Sequence, residues 1–173
     1  MNKAVMLSIR PKWVEKIANG EKTIEVRKTK PKLETPFKCY IYRTKGTVSH
    51  IINDEWVKME VGGTVIGEFT CDRIYEIAPL NHAPDDVEKR ACLTREEIVN
   101  YLKGTGYGWH ISDLRIYDQP QELTAFRRAC PNSWYCESCA MYWENNGTCG
   151  NESLQLKRAP QSWCYVEGMK DGN

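Results

Sequence analysis

A mixed α+β fold is what this sequence predicts: a small β-barrel with two or three flanking helices and a cysteine-rich insert. Three observations predict it. About six strand-like runs and two clear helical ones follow one another without alternating after the first unit, which argues for a small mixed barrel. At 173 residues, 27% charged and 41% hydrophobic, the chain suits one packed domain over 1–173 and not global disorder. Four of its eight cysteines crowd between positions 130 and 149, marking an insert at 126–155.

Taken in order, AVMLSI at 4–9 reads as a buried strand, and Pro11 then opens a helix. Proline suits the first turn, where its missing N–H is not needed. Trp13, Val14 and Ile17 make the apolar stripe, and Gly20 stops the helix as a residue at ease with positive φ. TIEVRK at 23–28 alternates, with Ile24 and Val26 on one side and Thr23, Glu25 and Arg27 on the other, as a half-buried strand with an ionisable face. FKCYIY at 37–42 is another strand. Residues 64–77 read as one long strand bent at Gly67, with Glu68 on the side of Ile66 and Thr70, opposite Val65 and Phe69. Thr94 to Glu97 is a capping box opening a helix to about residue 103. YGWHISDLRIY at 107–117 reads as one strand closed by Pro120, and SWCYVE at 162–167 as the last.

No run approaches the roughly 20 apolar residues of a membrane helix. The apolar patch before Arg10 is too short and wrongly flanked for a signal peptide. A soluble cytoplasmic protein is expected, with membrane, secreted and fibrous classes set aside. Net charge is +1, yet residues 1–48 hold twelve Lys/Arg against four Asp/Glu and the remainder twelve against nineteen. A basic first quarter around Lys28, Lys30 and Lys32 is either a solvated face or a surface for a polyanion.

Cys39, Cys71, Cys92 and Cys164 stand singly and read as small packing residues. Cys130, Cys136, Cys139 and Cys149 are spaced C-x5-C-x2-C-x9-C. In a reducing compartment such a cluster reads as a structural zinc site, with reduced thiols or redox chemistry as the alternatives. Four thiolates leave no open position, so the zinc would not be catalytic. The insert has aromatics (Trp134, Tyr135, Tyr142, Trp143) and few aliphatics, so it needs a staple.

Gly20-x-Lys22-x-x-Glu25-x-Arg27 places a point charge, an acceptor and a guanidinium at the start of one strand. It is either a surface ion pair or a grip on a ligand with donor and acceptor edges, such as a base or nucleotide. The run LSIRPKWVEKIANGEKTIEVRK, followed in order by GTVIGEF, GYGWHISDLRIY and APQSWCYVE, resembles the ASCH domain, named for activating signal cointegrator homology, within the PUA-like superfamily. The resemblance covers the chain apart from the insert. It implies a barrel with a cleft beside its mouth, in which relatives are thought to bind RNA or modified nucleobases. By that analogy Lys22, Glu25 and Arg27 line the cleft, with Glu68 nearby.

One enzymatic branch of the superfamily, a bacterial amidohydrolase acting on N4-acetylcytidine, looks similar around the same turn. It uses a lysine base, a threonine nucleophile three residues later and a glutamate from a later strand. Lys22 and Glu68 match the lysine and glutamate, but Glu25 stands at the nucleophile position and Thr23 only one residue after the lysine. A carboxylate does not replace a hydroxyl in acyl transfer, although a Glu–Lys pair could still cleave RNA by acid–base chemistry.

Trp109 offers a ring for stacking and His110 a group that titrates near neutrality; the other reading makes Trp109 core and His110 its polar neighbour. Strand alternation puts only one of the two in a cleft. The leading expectation is an RNA- or nucleotide-binding module. The alternatives are a hydrolase on RNA or a modified nucleoside, with Lys22 and Glu68 as base and acid, and a protein-interaction adaptor using the insert.

Overall fold

The computed structural model describes residues 3–78, 84–131, 138–146 and 149–168. Strand β1 (Lys3–Ile9) leads into helix α1 (Pro11–Ala18), with Pro11 at its start. Gly20, at φ +80°, ends the helix, its N–H donating to Ile17 O at 3.0 Å. Strands β2 (Ile24–Arg27) and β3 (Phe37–Arg43) follow, then a hairpin of β4 (Gly46–Ile52) and β5 (Glu55–Val61). Strands β6 (Thr64–Cys71) and β7 (Ile74–Ile77), helices α2 (Val87–Ala91) and α3 (Arg95–Leu102), and strands β8 (Gly106–His110) and β9 (Ser112–Glu122) come next. Helix α4 (Ala140–Glu144) lies in the insert, and β10 (Trp163–Glu167) ends the described chain.

The expected barrel is corrected. Among the described residues the strands form an open five-stranded sheet, β10-β1-β3-β6-β9, a three-stranded sheet, β2-β8-β7, and the separate β4-β5 hairpin. No ladder closes the two larger sheets into a ring. Only β1 and β3 run parallel; every other pair is antiparallel. The sheets bury a common core, in which Val5, Leu7, Cys39, Ile41 and Phe69 of the larger sheet meet Trp109 of the smaller one and Val14 and Ile17 of α1. On the far side of the three-stranded sheet, Ile24, Val26 and Ile77 pack under α2 and α3 through Val87, Ala91, Ile98 and Leu102. The Thr94 capping box is present, Glu97 N donating to Thr94 Oγ1 and Thr94 N to Glu97 Oε2.

Both long strands predicted from sequence divide. The run 64–77 breaks at Asp72-Arg73 and the run 107–117 at Ile111, and each changes sheets there. The two corners are tied together: His110 N donates to Arg73 O at 2.9 Å, and His110 Nδ1 lies 2.6 Å from Asp72 Oδ1. Strand β9 continues through Pro120 to Glu122 because it is a sheet edge, where a missing N–H removes no ladder bond.

The register of β6 shifts between Val65 and Gly67, where a Cβ on Gly67 would come within 2.5 Å of Arg115 O. That bulge inverts the expected faces: Ile66 joins Phe69 in the common core, while Val65 lies with Tyr40 in a second core on the outer side of the sheet. The lone cysteines Cys39 and Cys71 are packing residues, and burial raises their thiol pKa values, Cys71 to about 12.

Candidate functional site

The polar side of β2 is not a solvated face. Lys22, Glu25 and Arg27 are only 3%, 7% and 7% exposed, so the expectation of a half-buried strand is corrected to one buried on both sides. Helices α2 and α3 cover the apolar side, while Ser8 near the end of β1 and Ser162, just before β10, stand against the polar one. Lys22 Nζ donates to Ala91 O, at the end of α2, at 2.7 Å and lies 3.4 Å from Glu25 Oε2. The other oxygen of Glu25 lies 3.0 Å from Arg27 Nη2.

Arg27 reaches from the smaller sheet to the larger. Its Nη2 donates to Ser8 O at 2.8 Å, and its Nη1 to the hydroxyl and carbonyl oxygens of Ser162 at 3.2 and 3.3 Å. Its Nε is buried without a hydrogen-bond partner among the described residues. Taking such charges out of water costs several kcal/mol per ion, roughly recovered only where their geometry is good. The carboxylate between two cations and the three backbone carbonyls supply that geometry.

This triad forms one wall of an open cleft of about 640 Å³. Ser8, Arg10, Thr44 and Ser162 line it from the larger sheet and its connections, Trp13 from α1, and Leu93, Glu97 and Tyr101 from α3 and the segment before it. The ammonium of Lys22 sits 5.2 Å from the centre of the Trp13 ring. Two exposed lysines bring further charge to the rim: Lys12 lies 4.5 Å from the Trp13 ring centre and Lys28 5.4 Å from that of Tyr101.

The structure brings Lys22, Glu25 and Arg27 together and leaves the other expected residues elsewhere. Glu68 is on the outer side of the larger sheet, where its Oε2 accepts the Tyr117 hydroxyl at 2.6 Å and its Oε1 is 3.3 Å from Lys38 Nζ. Strand alternation from Phe69 in the common core turns it to that outer face, which corrects the place in the cleft that the family resemblance implied. Burial, and then the Glu68 carboxylate, hold the Tyr117 phenol well above its usual pKa. Trp109 is core, fully buried against Phe37 and Trp163, and its Nε1 has no hydrogen-bond partner among the described residues. His110 is at the strand corner with Asp72, outside the cleft. Burial there pushes the Asp72 carboxyl up, but its hydrogen bond and charge interaction with His110 outweigh that and leave its pKa lowered.

Sequence reasoning missed Ser8, Trp13, Tyr101 and Ser162 as cleft residues. Trp13 was visible only as helix stripe, and Tyr101 carried no signal beyond its exposure on α3. Of the insert cysteines, Cys136 lies outside the described residues. Cys130, Cys139 and Cys149 are half-buried and not in disulfides. Among the described residues no three His, Cys, Asp or Glu side chains gather to hold a metal ion. No helix among them is long and apolar enough to cross a membrane.

The family model for the ASCH domain matches residues 7–136. Among solved structures, ASCH from Zymomonas mobilis is similar at 16% identity and a TM-score of 0.50, over 95% of this chain and 87% of that one. A serine-to-alanine mutant of that protein gives 15% and 0.55, over 95% and 88%. A tyrosine-to-phenylalanine mutant gives 14% and 0.53, over 95% and 90%. These likenesses bear on the fold alone. No curated protein matches the sequence.

Proposed function

The chain belongs to the ASCH-domain family of the PUA-like superfamily, and from that premise we propose that it binds RNA by taking a nucleotide into the cleft beside Lys22, Glu25 and Arg27. One observation carries the reading: a buried ion triad forms the wall of an open cleft whose other walls carry the rings of Trp13 and Tyr101. The triad provides an acceptor and fixed donors for a base edge or phosphate, and the rings provide faces for stacking, worth about 1–3 kcal/mol per base. Lys12 and Lys28 at the rim suit a phosphate backbone.

The geometry lends the hydrolytic alternative less. Lys22 is engaged by Ala91 O and Glu25, and Glu68 is outside the cleft. Thr23 Oγ1 accepts from Arg90 Nε at 3.3 Å and is not among the cleft residues. Fluorescence anisotropy of a labelled single-stranded RNA tests the binding reading. Affinity is expected to fall with salt at a slope of about −0.7 per phosphate contact. Tyr101→Ala, at a residue 42% exposed whose loss leaves the core intact, is expected to weaken binding by about 1–3 kcal/mol. No binding at low salt overturns the reading.

We propose structural zinc for the insert on its chemistry, with Cys130, Cys136, Cys139 and Cys149 as thiolate ligands. What supports a staple is that α4 has no buried residue, while the insert's ends are pinned by Leu156 N donating to Phe126 O and Arg128 N to Leu154 O. Elemental analysis of purified protein decides it: about one zinc per chain is expected, and none overturns the assignment.

A further inference from the structure

A second depression, of about 460 Å³, lies between the start of α1 and strand β4. It shares Arg10 and Thr44 with the cleft, so the two join at those residues. Its β4 wall is the continuous run 44–50. Successive residues of a strand point to opposite faces, so an unbroken run marks an edge of the strand and not a face. The other edge of β4 is the one paired with β5. Arg10, Lys12 and Lys45 line this groove with Glu15, the one carboxylate among its described lining residues, and Thr47, Ser49 and His50 add polar groups. The floor of the junction is firm: Thr44 N donates to Ile9 O at 2.9 Å, and a Cβ on Gly46 would stand 3.2 Å from Pro11 Cγ.

We infer that this groove carries the phosphate backbone of the RNA onward from the cleft, so that the ligand is an extended single strand whose neighbouring nucleotides lie along β4. The inference rests on the proposed RNA-binding reading and specifies its ligand. A free nucleoside would leave the groove empty; a polyanion running past Arg10 would meet Lys12 and then Lys45. The groove's excess of positive charge favours this occupant over a peptide strand added to the open β4 edge.

Anisotropy competition with RNAs from a mononucleotide to about eight nucleotides tests it. Wild-type affinity is expected to rise with length. Lys45→Ala is expected to weaken the longer RNA about three- to fivefold, and Lys45→Glu more, with mononucleotide affinity unchanged. Lys58→Glu, a matched charge change on the hairpin but outside the groove, is expected to have less effect than Lys45→Glu. Lys45 and Lys58 are both exposed, so folding is not in question. Mononucleotide binding with no gain from length would overturn the groove and leave the cleft standing. Absence of binding to any RNA would overturn both. Equal losses from Lys45→Glu and Lys58→Glu would reduce the effect to general charge and overturn the groove.

Discussion

Glu25 and Glu68 each stand at a strand position flanked by apolar neighbours, and each is held between a lysine and a second donor, yet they occupy different worlds. Glu25 lies between Lys22 and Arg27, which also donate to the Ala91, Ser8 and Ser162 carbonyls, against an open cleft. Glu68 lies between Lys38 and Tyr117 on the outside of the larger sheet, away from that cleft. The first cluster bridges two sheets; the second spans three adjacent strands of one. The difference teaches that a charged strand residue gains a role from what covers it, and the cover comes from elsewhere in the chain.

The comparison breaks most sharply at Glu25. Glu25→Ala leaves two buried cations without their shared counter-charge, and a loss of about 3–5 kcal/mol is expected in urea unfolding. A loss similar to that of a surface pair would mean the triad is solvated and the contrast false. Tyr117→Phe should cost less, about 1.5–3 kcal/mol, by the loss of one hydrogen bond to a carboxylate, and leave RNA affinity as it was. Weakened RNA binding in that variant would bring the Glu68 cluster back into the site.

The smallest effect is expected at the strand corner. The Asp72 carboxyl has a lowered pKa in the folded protein, so its contribution is present above the unfolded value near 3.9 and is lost as pH falls through the folded value. Because Asp72 is well exposed, Asp72→Asn is expected to cost less than about 1 kcal/mol at neutral pH. Wild type and variant should converge in unfolding experiments at acid pH, below that window. A gap that persisted there would assign the cost to packing instead of charge.

Much of the fold was legible. The proline start and glycine stop of α1, the alternation of β2, the Thr94 capping box and the last strand are local signals, and each found its place. The β4-β5 hairpin went unread although Asn53 and Asp54, both at positive φ, form its turn. Its Ile51, Trp56 and Met59 are exposed, so its apolar pattern does not point to a core. Division of the two long runs was not legible, because changing sheets at Asp72 and Ile111 answers to tertiary packing. Alternation correctly grouped Glu25 with Arg27 but could not show that Ser8 of β1 and Ser162 ahead of β10 stand against them. It set Glu68 opposite Phe69, as the structure does, but exchanged the faces of Val65 and Ile66, because the bulge before Gly67 reverses them; the cleft position for Glu68 came from the family resemblance alone.

Arg27 is secured partly by Ser162, which lies some 135 positions further along the chain and beyond the family-matched span. Strand β10, which follows at once, lies along β1, the second strand in from the sheet edge. Domains are built as their chains emerge from the ribosome, N-terminus first. In this molecule the charges of the cleft are therefore synthesised early and their enclosure late. A nascent chain halted before Ser162 would carry Lys22, Glu25 and Arg27 with part of their wall missing, and the cleft takes its form only once residue 162 and the strand after it have been made.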